Sequence, residues 1–184
     1  MKKFMAFFLV IVMCFGMTSA AWAEAPSEKK TEEIWVLEKT GEKDGFTYFV
    51  AEVPCVVWHE NDTTQNSQRA VITATAYFQT AVNKAQGKIA LTIMIITPEA
   101  TIKEAVCPAA IARGDMGSAD LVDLSATNLI AKPTIYINGM FEDMEKNVAT
   151  GEVRISVSQG TFSGPGGLRG YYLGGRSIID LAEC

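Results

Sequence analysis

The apolar and polar positions of the chain are organised around the stretch from Asn66 to Thr97. Within it Val71, Ala74, Phe78, Ala81 or Val82, and Ala85 recur at steps of three and four, while Gln68, Gln79, Asn83 and Lys84 fall elsewhere. That spacing predicts one amphipathic helix over about 66–86, apolar on a single face. Gly87 then supplies the stop, because a helix end commonly needs the left-handed conformation that glycine adopts cheaply. Ile89 to Ile96 follows at once and is apolar on both alternating faces apart from Thr92. Such a run predicts a strand in the middle of a sheet, covered on both sides.

Strand patterns dominate the remainder. Ile34 to Lys39 reads as a first strand, Gly41 to Gly45 as turn chemistry, and Phe46 as the start of the return strand. On that strand Phe49, Ala51, Val53, Cys55 and Val57 share one face, with Tyr48 and Val50 opposite; Pro54 cannot donate to a ladder and marks an edge or bulge. Further strands are predicted through Ala105, Cys107, Ala109 and Ile111, with an interruption at Pro108, and over Pro133–Gly139. Glu152–Ser158 alternates cleanly, and a last strand runs through Leu168–Leu173. Residues 119–130 fit helix and strand equally, and short helical turns are expected at Thr97–Glu99 and Phe141–Asn147. The fold class that results is α+β: a mostly antiparallel sheet of about five to seven strands with the helix over 66–86 packed on one face.

The N-terminus changes the compartment. Lys2 and Lys3 precede an apolar run from Phe4 to Met17, and Ala21 and Ala23 form an A-x-A cleavage site, the layout of a bacterial signal peptide over residues 1–23. Its removal leaves 161 residues with a net charge of −7, against −5 for the whole chain. Residues 24–33 are charged and lack large apolar side chains, so they read as a flexible leader. Residues 34–184 form one domain. The expected location is periplasmic or secreted, with no membrane span after cleavage. A negative domain without a basic stripe argues against nucleic acid as a partner.

Cys55, Cys107 and Cys184 survive processing, and in an oxidising compartment one pair is expected to bridge. Cys107–Cys184 is the preferred pairing, because a terminal cysteine staples a tail that would otherwise fray; the other pairings, or a bridge between chains, stay open.

Candidate chemistry is sparse. His59 is the single histidine and lies beside Glu60 and Asp62, a polar loop or at most a weak cation site, whereas zinc and triad chemistry need more imidazole than that. Ser163 misses the G-x-S-x-G elbow because Thr161 occupies the first glycine's place. The segment Gly164–Gly170 lacks the βαβ context of a phosphate cradle. Lys132–Gly139 (KPTIYING) resembles the proline-led strand of thioredoxin-fold oxidoreductases over eight residues. That family's redox function rests on a C-x-x-C pair, and Ala110 stands where the second cysteine after Cys107 would be.

The stretch from Gly160 to Gly175 holds seven of the 15 glycines together with Phe162, Arg169, Tyr171 and Tyr172. Aromatic residues and arginine provide much of the energy at protein contacts, and glycine lets a partner's backbone approach. These four residues are the expected ligand- or partner-binding site; Trp35 and Trp58 are expected in the core. With no complete catalytic set, metal site or cofactor motif in the pattern, the expected function is a non-catalytic exported module. Its partner would be another envelope protein or a small ligand. The alternative is a periplasmic thiol-dependent redox protein, using Cys107 or Cys55, or a hydrolase.

Overall fold

A computed structural model describes residues 33–60 and 72–184. Twelve strands follow in order: β1 (Glu33–Ile34), β2 (Glu38–Lys43), β3 (Phe46–His59), β4 (Thr75–Asn83), β5 (Lys88–Ile96) and β6 (Ile102–Gly114). The second half adds β7 (Gly117–Lys132), β8 (Thr134–Phe141), β9 (Glu152–Val157), β10 (Gly160–Gly164), β11 (Leu168–Tyr172) and β12 (Gly175–Asp180). Among the described residues the only helical pieces are two three-residue 3₁₀ turns, Pro165–Gly167 and Leu181–Glu183. The expected signal peptide over residues 1–23 and all of the expected leader but Glu33 lie outside the described residues.

The α+β expectation is therefore corrected to nearly all β, and the helix over 66–86 is replaced in its described part by strand β4. The physical reason is a coincidence of periods. Ala74, Phe78 and Val82 are four apart, and a step of four returns to the same face in a strand as well as in a helix. Between them Ala76 and Thr80 also point inward and are buried, while Thr75, Tyr77 and Gln79 point outward. The β-branched Thr73, Thr75, Thr80 and Val82 and the aromatic Tyr77 and Phe78 favour the extended form. Pairing with β3 on one edge and β5 on the other completes β4's backbone bonds. Gly87 does adopt a positive φ of 64°, but in the turn of the β4–β5 hairpin. The helical turns expected at Thr97–Glu99 and Phe141–Asn147 are non-helical turn and loop, and 119–130 belongs to strand β7.

Pairing is antiparallel except between β1 and β12. One layer has the order β3–β4–β5–β8, with β2 on the outer edge of the first half of β3. The other has β7–β6–β9–β12–β1. Hairpin β10–β11 joins them, because β10 pairs with the first half of β6 and β11 with the second half of β3. The layers close on one another: Gly139 of β8 lies against Leu121 and Leu124 of β7, and Trp35 stacks on Phe78 of β4 with ring centroids 4.1 Å apart. Strand β5 does hold a central place, and Ile89, Leu91, Ile93 and Ile95 on its inner face are fully buried. Its outer face carries no second layer among the described residues.

Three of the seven late glycines serve this core. Gly160 is the cross-strand partner of Tyr172, and Gly170 that of Phe162. In each pair the ring lies over the glycine, so that a Cβ there would strike it. Gly175 lies likewise beneath the indole of Trp35. Phe78 meets Tyr172 edge-on at 5.3 Å, which links these rings into one cluster.

The hairpin β6–β7 switches faces halfway. Ala105 and Cys107 point inward, but beyond Pro108 the inward residues are Ala110 and Ala112, correcting the single alternating face expected for Ala105–Ile111. On β7 the switch falls at Asp123, whose φ is 53°. Both strands shift by one residue at the same point, so the register survives: Cys107 pairs with Leu124 and Ala109 with Val122. Ser158 binds the backbone of Ala109 at this break, accepting from its N–H and donating to its carbonyl, both at 3.0 Å.

Candidate functional site

The parity of β3 sets the site. Because odd positions from Thr47 to His59 face inward, even positions face out, and Val56 and Trp58 are exposed at the strand's far end. Strand β11 pairs there, with Arg169 opposite Trp58 and Tyr171 opposite Val56. Tyr171 meets Trp58 edge-on, with ring centroids 6.1 Å apart and planes at 64°. Next across the sheet, Ser163 pairs with Glu104 and Thr161 with Val106. Trp58, Arg169, Ser163, Glu104, Thr161 and Val106 line an open cleft of about 350 Å³ on the outer surface, and Tyr171 stands outside that lining, against Trp58.

Local chemistry holds the cleft's rim. Arg169 Nε donates to Glu60 Oε1 at 2.8 Å, which fixes the plane of the guanidinium. The Glu60 N–H donates to the Gly167 carbonyl at 2.9 Å, and His59 Nδ1–H donates to the Gly166 carbonyl at 3.1 Å. These bonds dock the β10–β11 turn onto the end of β3. Gly166 and Gly167 have φ of 70° and 78°, so here glycine is required by the backbone itself.

Of the four residues expected to bind, the structure separates two from two. Arg169 faces outward at the cleft and Tyr171 outward beside it against Trp58, whereas Phe162 and Tyr172 point into the core, where their rings cover Gly170 and Gly160. Trp35 is buried as expected, but Trp58 is 45 % exposed and not a core residue. Its parity with Tyr48 and Val50 was the available signal. Glu60 was read only as part of a polar loop beside His59 and Glu104 was not singled out, since only the pairing of β3, β11, β10 and β6 brings them beside Arg169 and Ser163.

Cys55, Cys107 and Cys184 are all unbridged. Cys107 is fully buried and donates to the Ala109 carbonyl at 3.4 Å, while the Cys184 thiol points to the Asp180 carbonyl at 3.8 Å. Burial pushes the Cys55 thiol up to about 12, and it also raises the Tyr172 hydroxyl, with the nearby Cys107 sulfur adding to that rise. The Tyr172 hydroxyl makes no hydrogen bond among the described residues. Asp62, expected beside His59 and Glu60, lies outside the described residues. Among those that are described, no cluster of three or more His, Cys, Asp or Glu side chains is placed to hold a metal ion. No helix among them is long and apolar enough to cross a membrane. Pro133 leads β8, a strand of an all-β sheet, so the thioredoxin-like segment sits in a different architecture.

Comparison with protein-family models, with curated proteins and with solved structures finds no match for this chain.

Proposed function

We propose that this chain is an exported, non-catalytic binding module that holds a small neutral ligand against the indole of Trp58, which Tyr171 braces edge-on, and that a saccharide ring is the chemistry the cleft suits best. The observation that carries this reading is the half-exposed indole of Trp58, edge-on to Tyr171 and beside an Arg169 guanidinium already oriented by Glu60. A sugar ring offers an apolar C–H face that covers an indole, and a rim of hydroxyls that pair with planar polar side chains. Arg169, Glu104, Thr161 and Ser163 supply such groups around the same cleft. Its volume falls in the range of small-ligand sites, about 300–1,000 Å³. With Glu60 and Glu104 against one arginine, and a chain of net charge −5, the surroundings disfavour an anion.

Export is supported by the basic start, apolar run and A-x-A site of residues 1–23. Thiol chemistry draws little support: a nucleophilic cysteine needs a lowered pKa and access, whereas Cys55 is shifted the other way and Cys107 is fully buried.

Tryptophan fluorescence tests the reading. Neutral oligomers of glucose and of N-acetylglucosamine are titrated into the purified protein. A saturable change is expected that Trp58→Ala abolishes and Trp35→Phe leaves in place. No saturable response to either series, or an equal response in Trp58→Ala, would overturn it.

A further inference from the structure

The cleft beside Trp58 is one part of a longer trough, and the strand registers give its course. Trp58, Arg169, Ser163, Glu104 and Thr127 are cross-strand neighbours in a single outward row over β3, β11, β10, β6 and β7. Two residues away along each strand, Val56, Tyr171, Thr161, Val106 and Ser125 form a second outward row over the same five strands. Between the rows lie Val57, Gly170, Phe162, Ala105 and Ala126. The glycine has no side chain and the other four pack toward the core, so the floor between the rows is backbone.

The cleft of about 350 Å³ fills this trough from Trp58 as far as Glu104. Both rows then continue onto β7, where Ser125 and Thr127 are exposed. Neither end is closed by a paired strand among the described residues. The β4 ladder on β3 stops at Pro54, and β7 is paired only to β6. The two rows also differ in chemistry. In the first, Arg169 donates through its Nη groups, its Nε being held by Glu60; Glu104 accepts, and the Ser163 and Thr127 hydroxyls do both. The second is less polar, with Val56, Tyr171 and Val106 along it.

We infer that the ligand is an oligosaccharide chain held along its length, with one ring on Trp58 and the following rings crossing β10, β6 and β7. This rests on the saccharide reading above and adds Ser125 and Thr127 to the site. Five strands leave four gaps of about 4.8 Å, so the trough is about 19 Å long. A six-membered ring with bonds of about 1.5 Å, together with its bridging oxygen, advances about 5 Å per unit. The trough therefore takes about four rings, close to one for each gap between strands. Each ring then meets a hydrogen-bonding side chain of the first row on its hydroxyl edge. A chain, unlike a lone ring, also uses the two open ends.

Tryptophan fluorescence is the test, with neutral β-1,4-linked oligomers of one to six units from glucose and from N-acetylglucosamine. For the series that binds, affinity is expected to rise with each unit through about four and then stay level. Thr127→Ala is expected to weaken the tetramer and the hexamer by about fivefold, the loss of one hydrogen bond, and to leave the dimer unchanged. Its circular dichroism should match that of wild type, since the side chain is exposed. A dimer that binds as tightly as the tetramer would overturn the inference while the Trp58 reading stands. So would a Thr127→Ala variant that treats short and long oligomers alike. No binding at any length, in either series, would remove the reading and the inference together.

Discussion

A methyl group placed on Gly160 separates two effects of opposite sign. The backbone there is ordinary strand, without a positive φ, so alanine fits its conformation. Were backbone freedom the only consideration, Gly160→Ala would stabilise the fold by about 0.4–1 kcal/mol through the unfolded chain. The Tyr172 ring decides otherwise. It lies over Gly160 with its Cε1 atom 2.5 Å from where the new Cβ would stand, and other ring atoms come closer still. Tyr172 is fully buried and held edge-on by Phe78, so it has no free direction in which to swing. Overpacking of this kind costs about 1–3 kcal/mol, and more where the surroundings are rigid. The net expectation is a loss of about 1–2 kcal/mol, read as a lower urea midpoint and a Tm lower by about 2–4 °C per kcal/mol. Repeating the substitution in a Tyr172→Leu background should erase the loss or turn it into a small gain. If Gly160→Ala proves neutral or stabilising with Tyr172 present, ring-over-glycine packing does not explain the late glycines.

Four further outcomes follow from the same geometry. Burial raises the Cys55 thiol to about 12 and raises the Tyr172 hydroxyl and the Cys184 thiol. These groups ionise first in the unfolded chain, so the native state binds more protons above about pH 9 and stability falls as pH rises from there, checked by urea midpoints at about pH 8 and about pH 10.5. Cys184 should react with a thiol reagent well before Cys55 and Cys107, and all three should react in denaturant; fewer than three would show a bridge such as Cys107–Cys184. Tyr172→Phe removes a buried hydroxyl with no hydrogen bond among the described residues, so its stability should lie within about 0.5 kcal/mol of wild type or above it. Asp123→Val forces a β-branched side chain into φ of 53° and should cost about 1–2 kcal/mol, whereas Asp123→Gly should cost little.

The sequence by itself determined the inner face of the sheet. Alternation along Phe49–Val57 and Ile89–Ile95, the turn at Asp44–Gly45 and the glycine at 87 were legible because strand periodicity and positive φ are local properties of the chain. Trp58's exposure was legible too, through its parity with Tyr48, once β3 is followed to its end. The period of β4 was not, because residues four apart share a face in either structure and the choice falls to hydrogen-bonding neighbours far away in the chain. Nor was the role of the late glycines. A glycine beneath a ring and a glycine in a loose loop look alike until cross-strand pairing sets Gly160 against Tyr172 and Gly170 against Phe162. The site was half visible, with Arg169 and its neighbour Tyr171 found, Glu60 read only as loop beside His59 and Glu104 missed, since only the meeting of β3, β11, β10 and β6 gathers them. Side-chain chemistry is written along the chain; which strand lies next to which is a long-range choice, made by burying one face of each strand against the other layer.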